Sequence, residues 1–132
     1  MVRAKRQRGT TVELQLTGFF RELSQDHADG PSLRESIGDV AGPNEGKLVA
    51  YLRNGALAIS SPGPVWDTID KHGPIGTASI RTDGVWAWPE VLAHYVEVYH
   101  VLLSREFLDH VARNNWQVPE VTIEQLRRLR VP

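Results

Sequence analysis

The sequence predicts a small α+β fold, in which a small antiparallel sheet of two hairpins packs against N- and C-terminal helices. Asn-Gly and Asp-Gly turns lie between alternating apolar runs, which is the pattern of two β-hairpins. Apolar residues at helical spacing lie before and after these hairpins. Hairpins followed by helices are typical of an antiparallel sheet covered on one face.

Composition narrows the class of protein. The chain has 132 residues, of which 41% are hydrophobic and 23% charged, and this balance fits one globular domain. It has no cysteine, which excludes disulfides and thiolate metal sites, and no apolar run reaches the length of a membrane span. We therefore expect a cytoplasmic protein with no membrane partner. A net charge of −1 makes nucleic acid an unlikely general partner.

A short basic segment lies at the N-terminus of the chain. Residues 1–9 are predicted to form a flexible basic arm, and residues 10–132 a single α+β domain. Docking of the arm to phosphate groups or to a partner is the alternative, but no aromatic residues alternate with its cations. The cations of the arm are Arg3, Lys5, Arg6 and Arg8.

The first predicted element is a helix over residues 10–24. Thr10 and Glu13 have the spacing of a capping box. The apolar stripe consists of Val12, Leu16, Phe19, Phe20 and Leu23. Residues 25–46 are polar and rich in Gly, Pro, Asp and Ser, so we expect a loop with one short helical turn around residues 33–37.

The first predicted hairpin pairs residues 47–53 with residues 56–60 through a type I′ turn at Asn54-Gly55. A two-residue turn would place Leu52 opposite Leu57. The turn type and the alternating apolar pattern then agree on one register.

The second predicted hairpin pairs residues 77–82 with residues 85–88 through Asp83-Gly84. This register places Arg81 opposite Trp86. An irregular segment, residues 61–76, connects the two hairpins.

Three helices are predicted after the hairpins. Pro89 suits the first position of a helix whose apolar stripe includes Leu92 and Tyr99. Ser104 is a candidate N-cap of a second helix that ends near Asn114. The third helix begins with a capping box, which consists of Thr122 and Gln125.

The strongest candidate for recognition is the aromatic face of the second hairpin. Trp86 and Trp88 are two residues apart, so they point the same way, and Arg81 opposite them allows a cation–π contact. Trp and Arg dominate interface hot spots, so an exposed face here would bind a partner. The alternative is that helices cover the face and the tryptophans belong to the core. The predicted binding residues are Trp86, Trp88, Arg81, Asp83 and Trp66.

A second constellation contains acidic residues and one imidazole, namely Asp67, Asp70, His72 and Asp83. Such groups can hold a divalent metal ion or act as acid and base. No known spacing rule joins them, and Asp in turns and caps is the commoner explanation. We therefore expect no metal and no cofactor.

The histidines of the C-terminal helices, His94, His100 and His110, are expected on solvated faces, because no H-E-x-x-H spacing is present.

Residues 82–89 read T-D-G-V-W-A-W-P and precede a helix that carries Tyr95 and Tyr99. This stretch resembles a group of small bacterial proteins, chiefly actinobacterial, with a T-D-G-x-W-x-W-P motif. Some of that group are similar to immunity proteins of polymorphic-toxin systems. The resemblance extends from Tyr51 to Trp116, and it implies no catalytic residues.

These observations favour a non-catalytic protein-binding module, with an immunity-like inhibitor of a bacterial toxin as its specific form. The motifs of common hydrolases and nucleotide-binding enzymes are absent. The alternative is a small-molecule-binding protein or enzyme with an aromatic pocket near the Asp83-Gly84 hairpin. That pocket would be lined by Trp66, Trp86, Trp88 and Tyr95, with Asp83 or His72 as the acid–base group. A homodimer is a further arrangement to test, because the edges of a four-stranded sheet are open to pairing.

Overall fold

The computed structural model describes residues 10–132, and the basic arm at residues 1–9 lies outside the described residues. The helices are α1 (Glu45–Arg53), α2 (Leu92–Tyr99), α3 (Arg105–Arg113) and α4 (Ile123–Leu126), with short 3-10 turns at Gln25–His27 and Arg34–Ser36. The strands are β1 (Val12–Glu13), β2 (Gln15–Leu16), β3 (Ala56–Ile59), β4 (Pro64–Val65), β5 (Gly76–Thr77), β6 (Ile80–Thr82), β7 (Trp86–Pro89) and β8 (Leu129–Arg130). The fold is therefore a small α+β fold, as predicted at that level.

The main sheet is mixed rather than antiparallel. Its strand order is β2-β7-β6-β3, with β2 parallel to β7 and the other two pairs antiparallel. Two small ladders accompany it: β1 pairs with β8 in parallel, and β4 pairs with β5 in antiparallel. The parallel pairs use the N-terminal segment, which the sequence had predicted to be helical.

The predicted helix over residues 10–24 is wrong. Glu13 and Gln15 are exposed whereas Leu14 between them is buried, so burial alternates as it does in a strand. The N–H of Gln15 donates to the carbonyl of Val85 at 2.9 Å. Gly18 then has a φ of +79°, and a Cβ there would lie 2.5 Å from Leu92, so this position requires glycine.

The first predicted hairpin is also wrong in its first half. Residues 45–53 form α1, because its buried side chains recur at helical spacing and pack inward. Those side chains are Leu48, Val49, Tyr51 and Leu52. Asn54 is the C-cap of α1, and Gly55 leaves room for Trp88, since a Cβ would lie 2.6 Å from its ring. β3 then pairs with β6 instead of with residues 47–53.

The second hairpin is present with a shifted register. Arg81 lies opposite Trp88, and Thr82 opposite Ala87. The N–H of Asp83 donates to the carbonyl of Trp86 at 3.2 Å, so Gly84-Val85 occupies the turn in place of Asp83-Gly84. Gly84 has a φ of +97°, which a hairpin turn of this length favours at its first position.

The C-terminal helices follow their capping signals. Ser104 accepts from the N–H of Phe107 at the start of α3, and Thr122 and Gln125 form the predicted capping box of α4. α2 begins at Leu92, so Pro89 ends β7 instead of opening the helix. No described helix is long and apolar enough to cross a membrane.

The core lies where α1, α2 and α3 meet the main sheet. Trp88, Tyr51 and Phe107 pack there, with ring centroids 6.0 Å apart for Tyr51–Trp88 and 5.7 Å apart for Trp88–Phe107. These large buried rings occupy the volume between helices and sheet. The hairpin that carries Trp86 and Trp88 is therefore fixed in the middle of the molecule.

Candidate functional site: two aspartate centres and an apolar groove

The hairpin face that carries Trp86 and Trp88 is buried. Trp88 is fully buried, its indole N–H donates to the carbonyl of Leu52 at 3.0 Å, and Trp86 packs on Phe107. Of the two arrangements that the sequence left open, the buried one is observed: α1 and α3 cover the face, both tryptophans belong to the core, and an exposed recognition face is excluded there. Arg81 does not lie opposite Trp86; it donates to the carbonyl of Gly55 at 2.7 Å.

The aromatic pocket that the sequence suggested does not gather its four rings. Trp66 is 54% exposed, whereas Trp86 and Trp88 are in the core. The hydroxyl of Tyr95 accepts from the backbone N–H of Thr68 at 3.1 Å. Trp66 therefore stands apart from the hairpin tryptophans.

Asp83 does more than complete its turn. Its Oδ1 accepts from the N–H groups of Val85 and Trp86 at 2.9 and 2.7 Å. Its Oδ2 accepts from the hydroxyl of Tyr51 at 2.6 Å and bonds to Nε2 of His110 at 2.8 Å. We call this group, together with Asn114, the Asp83 centre.

Asn114 completes the Asp83 centre. Its amide donates to the Tyr51 hydroxyl at 2.9 Å and lies 3.3 Å from Nε2 of His110. Burial raises the pKa of Tyr51, and the hydrogen bond to Asp83 raises it further. Tyr51 therefore stays protonated and donates. The described contacts of His110 include no hydroxyl nucleophile, so the centre has the geometry of a buried polar network.

Asp67 has the same arrangement elsewhere in the fold. Its Oδ1 accepts from the N–H groups of Ile69 and Asp70 at 2.8 and 2.9 Å. Its Oδ2 accepts from the hydroxyl of Tyr99 at 2.7 Å and bonds to Nε2 of His94 at 2.8 Å. We call this group, together with His72 and Asp70, the Asp67 centre.

Electrostatics hold the Asp67 carboxyl ionised. Burial by itself would raise its pKa, but the hydrogen bonds from Asp70, His94, Tyr99 and Ile69 outweigh burial and hold the pKa well below its usual range. Burial and the Asp67 carboxylate raise the pKa of Tyr99. Asp67 is thus a permanent buried anion with a neutral phenol against it.

The structure brings together three of the four residues in the predicted acidic constellation. Asp67, Asp70 and His72 meet, and Nδ1 of His72 lies 3.0 Å from Oδ2 of Asp70. Asp83 belongs to the other centre. The expectation of solvated histidines is wrong for His94 and His110, whose side chains are largely buried against aspartates.

Sequence reasoning missed the roles of Tyr51, Tyr99, His94 and His110. A local signal was present. His110 lies three residues after buried Phe107 and next to buried Val111, and His94 has the same relation to Val91 and Tyr95. An imidazole on the buried face of a helix requires a polar partner, which here is an aspartate in a turn.

A groove lies on another face of the molecule. A cavity of about 600 Å³ and one of about 290 Å³ share Leu102 and Leu103 as a common wall. We call these two cavities together the Leu102 groove. Leu102 is 68% exposed and Val40, which lines the smaller cavity, is 76% exposed.

The local sequence places Leu102 at this surface. His100 has a φ of 54° and ends α2, and Ser104 caps α3, so residues 101–103 run between two helix ends. The N–H of Leu102 donates to the carbonyl of Ser36 at 2.7 Å, and the N–H of Gly38 donates to the carbonyl of Tyr99 at 3.2 Å. These bonds hold the loop around residues 36–38 beside the groove.

Comparison with known proteins gives no relative: the chain matches no protein-family model, no curated protein and no solved structure. Function is therefore inferred from the geometry of the groove and of the two aspartate centres.

Proposed function

We propose that this chain is a non-catalytic protein-binding module that uses the Leu102 groove to hold an apolar, basic segment of a protein partner. The observation that carries the proposal is the exposure of Leu102 and Val40 beside two neighbouring cavities that share lining residues. Large aliphatic side chains that line an open concavity are typical of a binding surface.

The lining of the groove supports an apolar ligand. The larger cavity is walled by Leu16, Phe19, Phe20 and Pro31, and the smaller one by Val40, Pro43, Leu48, Leu108 and Trp116. Burying such surface yields about 25 cal/mol per Å², so a few apolar side chains of a partner would bind here favourably.

The charges of the groove favour a basic partner. Asp26 and Asp29 line the larger cavity and Glu45 lines the smaller one, and none of the described residues that line either cavity is a Lys or Arg. A partner segment with Lys or Arg beside its apolar residues would complement these carboxylates. A second copy of the chain would bring the same carboxylates into the interface, which disfavours self-association through the groove.

The resemblance of residues 82–100 to immunity-like bacterial proteins suggests a specific form of this function. In that form, the partner is a bacterial toxin and binding inhibits it. The Asp83 centre and the core tryptophans then act as the rigid support of the groove.

The test compares two variants with equally exposed residues. Leu102 and Ile123 are both 68% exposed, and only Leu102 lies in the groove, so Leu102→Asp tests the groove and Ile123→Asp is the matched control. Tagged full chains are crosslinked in the native host, the captured proteins are quantified, and the partner is then purified. We expect wild type and Ile123→Asp to capture the same single partner. The affinity for this partner should fall at least tenfold in Leu102→Asp, and it should also fall at least tenfold at high salt.

Two outcomes contradict the proposal. A partner retained equally by Leu102→Asp would place the binding surface elsewhere. A concentration-dependent dimer of the purified chain that Leu102→Asp abolishes would show that the groove binds a second copy.

A smaller feature favours the small-molecule alternative. A cavity of about 310 Å³ beside the hairpin turn is lined by both Trp86 and His110, together with Gln15, Val85, Glu106, Asp109 and Arg113. A polar ligand bound there would change the fluorescence of Trp86. Quenching by one member of a metabolite panel, lost in Arg113→Ala, would support this function, and an unchanged signal across the panel would count against it.

A further inference from the structure

The Asp67 centre presents three metal-ligating side chains to one point. One ligand atom each from Asp67, His72 and His94 lies within 4.8 Å of the other two. Around a tetrahedral zinc ion with bonds of about 2.0–2.2 Å, ligand atoms are separated by roughly 3.3 Å. The most distant pair of ligand atoms therefore needs to close by at most about 1.5 Å, whereas Oδ2 of Asp67 and Nε2 of His94, which are 2.8 Å apart, need to separate by about 0.5 Å. The side chain of His72 is 52% exposed.

We infer that Asp67, His72 and His94 form a binding site for a divalent transition-metal ion of the zinc type. A set of one carboxylate and two imidazoles binds such ions in preference to Mg²⁺ or Ca²⁺. A fourth position remains for water, since three protein ligands do not fill a tetrahedron. This site is separate from the Leu102 groove and does not depend on the proposed function.

The hydrogen bond between Asp70 and His72 resembles the bond that a carboxylate outside a metal site makes to a metal-binding histidine. Nδ1 of His72 lies 3.0 Å from Oδ2 of Asp70, which leaves Nε2 as the free ring nitrogen. Metal-binding histidines usually donate their other N–H to a carboxylate, because this fixes the tautomer and the orientation of the ring. Asp70 thus acts as a positioning residue for His72.

Hydrogen bonds fix the orientation of the Asp67 carboxylate. Its Oδ1 accepts from the N–H groups of Ile69 and Asp70, and its Oδ2 accepts from the hydroxyl of Tyr99. The ion would take the place of the proton between Oδ2 of Asp67 and Nε2 of His94, which are 2.8 Å apart. As the metal–nitrogen bond forms, the proton on Nε2 of His94 moves by way of solvent to Nδ1 of the same ring, so that a neutral imidazole binds the ion.

The Asp83 centre has the same Asp–His–Tyr arrangement but lacks a third metal-ligating side chain. There, the position next to the His–Asp pair is taken by the Asn114 amide, which donates to Tyr51. An amide nitrogen has no lone pair for a metal, whereas His72 has one. Among the described residues, the Asp67 centre is the single group of three His or acidic side chains with this spacing.

The experiment uses Co²⁺ and Zn²⁺ as probes on the full, tag-free chain after treatment with a chelator. Co²⁺ is titrated while its d–d absorption is recorded, and Zn²⁺ is then added in competition. We expect one equivalent of Co²⁺ with a tetrahedral spectrum, displaced by Zn²⁺. Thermal unfolding in the presence of Zn²⁺ should occur at a higher temperature than in chelator.

Variants separate the site from incidental binding. His72→Gln removes one exposed ligand without touching the bonds of Asp67, and we expect affinity to fall at least about tenfold. Asp70→Asn should weaken binding by about 10- to 100-fold while keeping the stoichiometry. His27→Gln, outside the centre, is the matched control and should bind as wild type does.

The inference is overturned if the wild type shows no saturable binding of either ion. It is equally overturned if folded His72→Gln binds as tightly as wild type. Leu102→Asp should leave metal binding unchanged, so failure of the proposed function and failure of this site are distinguishable.

Discussion

The Asp67 and Asp83 centres are built to the same plan but serve different parts of the molecule. In each, an aspartate in a turn accepts two backbone N–H groups on one oxygen and a His and a Tyr on the other. In each, the histidine follows its aspartate by 27 residues. Each of these two buried carboxylates therefore has four hydrogen-bond partners, as a buried charged group requires.

The difference lies in what each centre connects. Asp83 joins the β6–β7 hairpin to α1 through Tyr51 and to α3 through His110. Asp67 joins the loop after β4 to α2 alone, through His94 and Tyr99. The Asp83 centre therefore holds the core together, whereas the Asp67 centre closes a surface loop and keeps an exposed imidazole, His72, beside a buried anion.

The largest expected difference between the two regions is in their tryptophans. Trp86 is buried beside the Asp83 centre, so Trp86→Ala should lower the free energy of unfolding by about 3–5 kcal/mol. Trp66 precedes Asp67 and is largely exposed, so Trp66→Ala should cost less than about 1 kcal/mol. Urea denaturation followed by far-UV circular dichroism measures both. Equal losses would contradict the contrast between core and surface.

The aspartates themselves should differ less. Asp83→Ala leaves the hydroxyl of Tyr51, His110 and two N–H groups without an acceptor, and we expect a loss of about 3 kcal/mol. Asp67→Ala should cost about 2 kcal/mol in the presence of chelator, because Tyr99 is partly exposed whereas Tyr51 is buried. Exposed Asp109→Ala, on α3, is the control and should stay within about 0.5 kcal/mol. A greater loss for Asp67→Ala would reverse our assignment of the core role.

Single hydroxyl deletions sharpen the same comparison. Tyr51→Phe removes the donor to Asp83 and the acceptor of Asn114, both buried, so we expect a loss of about 1–3 kcal/mol. Tyr99→Phe removes one bond to Asp67, and water has better access to replace it, so the loss should be below about 1 kcal/mol. Thermal and urea unfolding of the two variants in parallel decide the order.

The smallest effect is expected at Glu22, a carboxylate outside both aspartate centres. Burial would raise the pKa of Glu22, but hydrogen bonds from Leu33, Ser32 and Arg34 lower it from 4.5 to about 2. Because the folded pKa lies below the unfolded value, this stabilisation is present above about pH 4.5 and is lost as pH falls toward 2. Glu22→Gln should cost less than about 1 kcal/mol at pH 7, since the group is partly solvated. Stability measured from pH 7 to pH 2 should therefore fall less steeply in the variant than in wild type.

Local signals in the sequence account for the features that depend on neighbouring residues. The α+β class, the caps at Ser104 and Thr122, the stripe of α2 and the existence of the β6–β7 hairpin follow from local signals. Capping and turn formation involve residues three or four apart, so a short window contains all the information they need.

The remaining features depend on packing between segments that are distant in the chain. Residues 12–16 carry both a helical and an alternating pattern, and pairing with β7 and β8 selects the strand. Asn54-Gly55 suits a hairpin turn and a helix end equally, and packing of Tyr51 and Leu52 into the core selects the helix. Each of the two aspartates bonds to a His 27 positions away and to a Tyr 32 positions away, and the groove joins residues 16–48 to residues 96–116. Such contacts depend on how the elements pack, which no local pattern contains.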